Sequence, residues 1–298
     1  MDIKALELFL SLANTLHFGH TAKAMNMSPS AVSRAIKRLE TDVNETLFFR
    51  DNRHVELTYA GDLYRSFAEH TLMHWQQLQD TLQQQGESPT GTVPLFCSVT
   101  ASYVVLSKLL PIMRERFPRI ECDVHTGDQA DAIARVISGN EQVGITVKPA
   151  KLPEEVAFMP LMTSPLKLIV PHQDKAIAEA LREITPTTDW LGLPMVVSET
   201  GEARTQLDRW FSLAARKPNI YAQVSGHEAI VSLVSLGFGV GLVPELVIDS
   251  SPMKSSVRVY PAPLSVSDLT IGVVVKRRQL QQPLMKAFWS CCQQLAGI

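Results

Sequence analysis

Hydroxyl groups, carboxylates and cations at short spacing carry the chemistry of this sequence. In the run Ser98-Val99-Thr100-Ala101-Ser102-Tyr103, three hydroxyls alternate directly after the apolar stretch VPLFC. A strand that gives way to such a run starts a helix there. Its unpaired N–H groups, those around Ala101 included, together with the hydroxyls of Ser98, Thr100 and Ser102, would accept a small carboxylate. The same hydroxyls could equally do no more than cap the helix. Thr126, Gly127 and Asp128 end a second strand-like run, IECDVHT, where an open α/β sheet exposes its ligand crevice. Lys148 follows QVGITV as either a carboxylate partner or a solvated lysine. Further on, Ser198, Glu199 and Thr200 close the run MVVS, and Gly226, His227 and Glu228 begin a helix. His227 is either a ligand donor or a capping and packing residue.

None of these groups forms a catalytic constellation. Gly237-Phe238-Gly239-Val240-Gly241 lacks the GxGxxG spacing and precedes a strand instead of following one; His227-Glu228 lacks the second histidine of HExxH; no GxSxG elbow or P-loop occurs. Serines without a placed base read as binding groups, so no enzyme activity and no metal are expected. Cys97, Cys122, Cys291 and Cys292 have no CxxC spacing and read as reduced thiols.

A second kind of chemistry belongs to residues 28 to 53. Ser28-Pro29 is an N-cap followed by proline at the first helical position, where its missing N–H is no loss. The helix after it, to about Glu40, turns Val32, Ile36 and Leu39 inward and Ser30, Ser33, Arg34 and Lys37 outward. A polar arc of this kind suits hydrogen bonding to base edges, with Arg34 the candidate for guanine. Arg50 and Arg53 suit phosphate, although Arg50 could instead hold its own domain together. The balance of the chain, −2 overall and eight Lys/Arg against eight Asp/Glu in residues 1 to 65, excludes bulk polyanion binding. Any DNA contact must come from this local clustering.

The elements that position these groups follow from periodicity. Two short helices, residues 3 to 13 and 20 to 25, precede the Ser28 helix, and LFFRDNRHVEL (47 to 57) reads as two short strands around Asp51-Asn52-Arg53. Thr58 caps a long helix to about Gln85. Along it Tyr64, Phe67, Trp75, Leu78 and Leu82 recur at three- and four-residue steps, a seam expected to dimerise. GESPTG (86 to 91) has hinge composition. Strand and helix then alternate to the end, which predicts parallel sheet in two similar lobes facing across a cleft. The fold class is therefore α/β overall. Its expected domains are a winged helix-turn-helix over 1–58, a linker helix and hinge over 59–91, and a two-lobed sensor over 92–298, with lobe I about 92–162 and 268–298 and lobe II about 163–267. At 298 residues the chain has room for this division. MDIKALELFL matches neither a secretory signal nor a transit peptide, and no apolar run approaches membrane length, so a cytoplasmic protein is expected. A periplasmic solute-binding protein is the rival reading, supported by the two-lobed half alone.

The stretch HFGHTAKAMNMSPSAVSRAIKRLETDVNETLFFRDNRHVELTYAG (17 to 61) resembles the LysR-type transcriptional regulators in its helix-turn-helix, its LE, its LFxR wing and its LTxAG linker start. That resemblance implies a winged helix-turn-helix joined by a linker helix to an effector domain like a periplasmic binding protein. It also implies an operator read as a homodimer or homotetramer, and contact with RNA polymerase. Within the family, LHFGHTAKAM, FCSVTASY, HTGDQADA and GHEAIVSLVSLGFGVGLVPE resemble an activator of branched-chain amino-acid synthesis. This implies acetolactate or acetohydroxybutyrate as inducer. The chain departs from the family at Thr21-Ala22, at Pro29 in place of a glutamine, and at Asn44 in place of a glycine. Proline cannot make the bidentate adenine contact of glutamine, whereas asparagine tolerates the left-handed turn.

Overall fold

The computed structural model describes residues 2–50, 54–83, 89–173, 177, 192–213, 217–260 and 266–297. The chain divides into two compact units, Met1–Gln85 and Gly86–Ile298.

The first unit opens with α1 (Ile3–Thr15), α2 (Phe18–Ala24) and α3 (Pro29–Val43). Each start has its cap: Asp2 accepts from the Lys4 amide, Ser28 from the Ala31 amide, and the His17 ring, through Nδ1, from the amides of Gly19 and His20 at 3.0 and 3.2 Å. Asn44 ends α3 in the left-handed conformation at φ 55°, so the turn that family glycines usually make survives here. Leu6, Phe9, Leu12, Val32, Ile36 and Phe48 close the core of this unit. The wing strands β1 (Phe48–Arg50) and β2 (Val55–Leu57) pair antiparallel, and the turn between them, with Arg53, lies outside the described residues.

Helix α4 (Tyr59–Gln83) begins at Thr58, whose hydroxyl accepts from the Gly61 amide at 2.9 Å and donates to the Thr46 carbonyl at 2.6 Å. The helix therefore starts pinned against the wing. Gly61 makes that approach possible, because a Cβ there would stand 2.1 Å from the Leu47 carbonyl oxygen.

The second unit holds two five-stranded sheets. The first has the order β4-β3-β5-β12-β6, built from β3 (Gly91–Cys97), β4 (Ile120–Thr126), β5 (Val143–Val147), β6 (Val156–Ser164) and β12 (Leu269–Lys276). The second, β11-β7-β10-β8-β9, is built from β7 (Leu166–Pro171), β8 (Met195–Ser198), β9 (Ile220–Val224), β10 (Val240–Pro244) and β11 (Val257–Tyr260). Helices cover both faces of each sheet. The sequence follows suit: in β8, Met195 and Val197 enter one core and Val196 the other, so strands buried on both faces read as unbroken apolar runs. One face of the first sheet packs on α5 (Val99–Ala101), the π-helical turn Ser102–Leu106, α6 (Ser107–Arg116) and the terminal α11 (Pro283–Ala296); the other packs on α7 (Ala132–Ser138). In the second sheet, α8 (Glu202–Leu213) covers one face and α9 (His227–Ser235) with α10 (Glu245–Ser250) the other.

The expected parallel pairing is present between β3 and both β4 and β5 and between β8 and both β9 and β10, but each sheet is mixed. β12 runs antiparallel to β5 and β6, and β7 antiparallel to β10 and β11. β6 escaped the periodicity reading because Pro160 interrupts it. An edge strand tolerates that proline, which sits opposite Gly272 at a bulge. The glycine run 237 to 241 is the turn from α9 into β10, where Gly239 (φ 142°) lies against the Pro194 carbonyl.

Replacing Gly61 by alanine must push α4 off the wing. We expect Gly61→Ala to lower the stability of the first unit by about 2 kcal/mol, seen as a lower urea midpoint of the full chain; an unchanged midpoint would show that the Leu47 carbonyl moves aside freely.

Candidate functional site

On α3, the residues expected to face DNA form a solvent-facing arc. Arg34 and Lys37 are exposed and their cationic ends have no partner among the described residues; Ser30 is exposed and Ser33 half-buried. Ser28 is engaged as the cap and its hydroxyl lies 3.1 Å from that of Ser30. The helix is thus fixed at its start by Ser28 and behind by Val32, Ile36 and Leu39, leaving two cations one turn apart in water.

Arg50 behaves differently. Its guanidinium donates to Glu40 at 2.6 Å and lies over the Phe18 ring at 5.2 Å, while the other carboxylate oxygen of Glu40 accepts from the Leu47 and Phe48 amides. The LE of α3 and the arginine of the LFxR wing are one structural joint. Of the two readings of Arg50, this geometry supports holding β1 against α3. A correction concerns Tyr64. It is buried against Phe9, edge to face at 4.7 Å, inside its own unit and so is withdrawn from the dimer seam. Phe67, Trp75 and Leu78 remain exposed on α4, and the Leu82 side chain lies outside the described residues.

In the second unit the two lobes meet over a cavity of about 40 Å³. Of the groups expected to bind a small acid, Ser98, Thr100, Ala101, His227 and Glu228 line it, together with residues that the sequence did not single out: Val105, Gln129, Ile145, Thr146, Met162 and Leu246. At its lobe I end, Ser98 caps the helix start by accepting from the Ala101 amide at 3.1 Å. Thr100, nearly fully buried, donates its amide (3.0 Å) and its hydroxyl (2.6 Å) to Oε1 of Glu228, which arrives from lobe II. Asp128 reaches the opposite way, its Oδ2 accepting from the Ser225 hydroxyl (2.9 Å) and the Gly226 amide (3.1 Å). Gln129 seats the floor, its side-chain oxygen accepting from the Val147 amide at 3.0 Å and the Thr146 hydroxyl at 3.1 Å.

The remaining expected contacts lie elsewhere. Ser102 donates to the Val99 carbonyl, Thr126 and Gly127 sit exposed at the end of β4, and Lys148 is exposed beyond β5. Ser198 is buried with its carbonyl accepting from Arg204, and Glu199 is exposed. None of these lines the cavity, nor does Asp128. Gln129 carried no sequence signal, being one polar residue among several in a loop.

A winged helix-turn-helix with a free cationic arc, followed in the chain by a two-lobed unit with a polar cleft, defines a ligand-responsive DNA-binding regulator. The chain belongs to the LysR family. Residues 3–62 match the family described as bacterial regulatory helix-turn-helix protein, lysR family, and residues 86–297 match the LysR substrate binding domain. It is similar to the HTH-type transcriptional activator IlvY of Salmonella typhimurium, at 41% identity over 97% of this chain and 98% of that protein. IlvY of Haemophilus influenzae is 37% identical over 97% and 99% of the two chains. Its fold resembles that of full-length CbnR complexed with its target DNA, with a TM-score of 0.70 at 18% identity over 99% of this chain and 100% of that one. Proteins of this family regulate transcription and are not enzymes, and among the described residues no helix is long and apolar enough to cross a membrane.

Within the cleft, burial holds the His227 imidazole below its ordinary pKa of 6.5, against the opposing pull of Glu228 and Asp128. Once pH falls below 6.5 the unfolded chain takes up a proton at this residue that the folded unit resists. Stability is accordingly retained above that value and lost as pH drops through it. Urea midpoints at pH 7.5 and 5.5 should show a fall in the wild type that is smaller in His227→Gln; equal falls would mean that His227 is not held neutral.

Proposed function

We propose that this protein is an activator of branched-chain amino-acid synthesis, acting on the gene for ketol-acid reductoisomerase and responding to acetolactate or acetohydroxybutyrate. The observation that carries the reading is the cleft of a chain 41% identical to IlvY over nearly its whole length: carboxylate-binding groups at Thr100 lie beside an apolar wall of Val105, Ile145 and Leu246. A short-chain hydroxy-keto acid has the matching parts. Its carboxylate would take the helix start, its carbonyl or hydroxyl the polar groups of His227 and Gln129, and its alkyl groups the apolar wall.

In this reading residues 1–58 bind the operator and 59–91 join them to the effector domain, 92–298. Arg34 and Lys37, with Ser30 and Ser33, face the major groove, and Arg53 approaches phosphate. Two copies pair along α4 through Phe67, Trp75 and Leu78, and would read half-sites spaced by about 10 bp or a multiple of it. Assembly to a tetramer, contact with RNA polymerase and residence in the cytoplasm complete the proposal. Induction then requires that the acid bind one arrangement of the lobes better than another, since equal affinity shifts nothing.

Binding to the DNA between the protein's own gene and its divergent neighbour, footprinted at fixed salt with and without each acid, tests the reading. A specific footprint altered by either acid is the expected result; a specific footprint indifferent to both removes the inducer, and no specific footprint removes the operator as well. Arg34→Ala should weaken specific binding by roughly tenfold or more while leaving non-specific binding nearly unchanged, as loss of a bidentate guanine contact does. With Glu228→Ala also present, so that no side-chain carboxylate occupies Thr100, Thr100→Ala should raise the acid concentration needed to alter the footprint by on the order of tenfold, and an unchanged titration would remove Thr100 from the site.

A further inference from the structure

Two observations about the cleft point beyond its identification as a site. A carboxylate already occupies its anion-binding groups: Oε1 of Glu228 receives both the amide and the hydroxyl of Thr100, at 3.0 and 2.6 Å. This is the pair of donors that an acid docking at the helix start would use. The second concerns His227, the neighbour of Glu228 on α9. It is buried and lines the same cavity, yet its Nε2 has no hydrogen-bond partner among the described residues. Buried polar atoms are seldom left unpaired without a functional reason. An acid docking at this helix start must first displace the Glu228 carboxylate.

We propose that the Glu228 carboxylate is an internal stand-in for the inducer's carboxylate, clasping the two lobes until the inducer displaces it from Thr100 and engages Nε2 of His227. The proposal rests on the reading of this cleft as the inducer site and adds its regulation. Glu228 is the member that must move. Thr100 is fixed by the start of its helix, and Gly226, at φ 80°, leaves the carboxylate room, since a side chain there would press on Oε2 at 3.2 Å. Asp128 and Ser225 lie outside the cavity lining, and of the groups that Asp128 holds only Gly226 reaches it. They can keep the lobes registered while Glu228 swings out. Two carboxylates cannot share Thr100, because each would lose its donors and face a like charge. Inducer and Glu228 are thus competitors, and the affinity of the site is set by how firmly Glu228 is held.

The test uses the full-length protein with Glu228→Gln and Glu228→Ala. Glutamine keeps an oxygen able to accept both bonds and removes the charge, whereas alanine removes the competitor. Without any acid, hydrogen exchange of the segment 98–106 should quicken in Glu228→Ala; unchanged exchange would overturn the clasp. In calorimetric titrations with acetolactate and with acetohydroxybutyrate, both variants should bind more tightly than the wild type, by on the order of tenfold for alanine. Equal or weaker binding would overturn displacement and make Glu228 either a bystander or a direct ligand of the inducer. A wild type that binds neither acid, with exchange still quickened in Glu228→Ala, would support the clasp and remove the inducer named under the proposed function.

Discussion

Each lobe of the sensor unit places a carboxylate on the backbone amides of the other. Glu228, in the first turn of α9, accepts from the amide at the start of the lobe I helix, and Asp128, leaving β4, accepts from the amide just ahead of α9. Hydrogen bonds with an ionised acceptor are about twice as strong as neutral ones, and these lie in a partly dehydrated seam. The rest of the unit is arranged to deliver these four groups. Strands β3 and β4 run parallel, so that the helix start at residue 98 and the Asp128 loop emerge on one edge. Parallel β8 and β9 do the same for the Ser198 and Ser225 ends of the second sheet.

The chain crosses between lobes in a way that suits such a seam. β6 ends at Ser164 and β7 begins at Leu166, so one crossing is the single residue Pro165, whose φ is fixed by its ring. Its carbonyl accepts from the Glu245 amide at 2.9 Å, and the Ser164 hydroxyl accepts from the Leu246 amide at 3.2 Å. The crossing is therefore bonded to the start of α10, beside the cavity lined by Leu246. A change at the cleft and a change at the crossing involve the same few residues, as hinge motions in two-lobed proteins require.

Legibility in the sequence followed the range of the interaction involved. The Ser28 cap, proline at the helix start, the left-handed Asn44 and the inward face of α3 depend on neighbours within a turn, and all are present. Arg50 could be read two ways because its partner, Glu40, is ten residues away and local pattern does not decide between a phosphate and a carboxylate. Tyr64 fitted a heptad seam, but a three- or four-residue step recurs on every buried face of a helix, and the nearer apolar surface was Phe9 of the same unit. At the cleft, Thr100 and Glu228 were each visible as polar residues at helix starts. Their direct bond across 128 positions was not. The antiparallel direction of β12 escaped for the same reason, since strand direction is decided by pairing with distant partners and not by composition.

This leaves the sensor unit with a balance that can be argued from its parts. The apolar wall of the cavity would gain from any alkyl group that excludes water, whichever acid carries it, and so discriminates weakly among small acids. On the proposed reading, discrimination of charge falls to Thr100, whose two donors prefer an ionised oxygen, and discrimination of shape to Nε2 of His227, unpaired among the described residues, which rewards a polar atom at one place in an otherwise greasy cavity. Because burial keeps that imidazole neutral, it can donate or accept but adds no charge. With no Lys or Arg in the cavity lining, attraction for an anion there comes from the helix start. An anion site of such modest strength is one that a tethered carboxylate can fill, and one from which it can be removed.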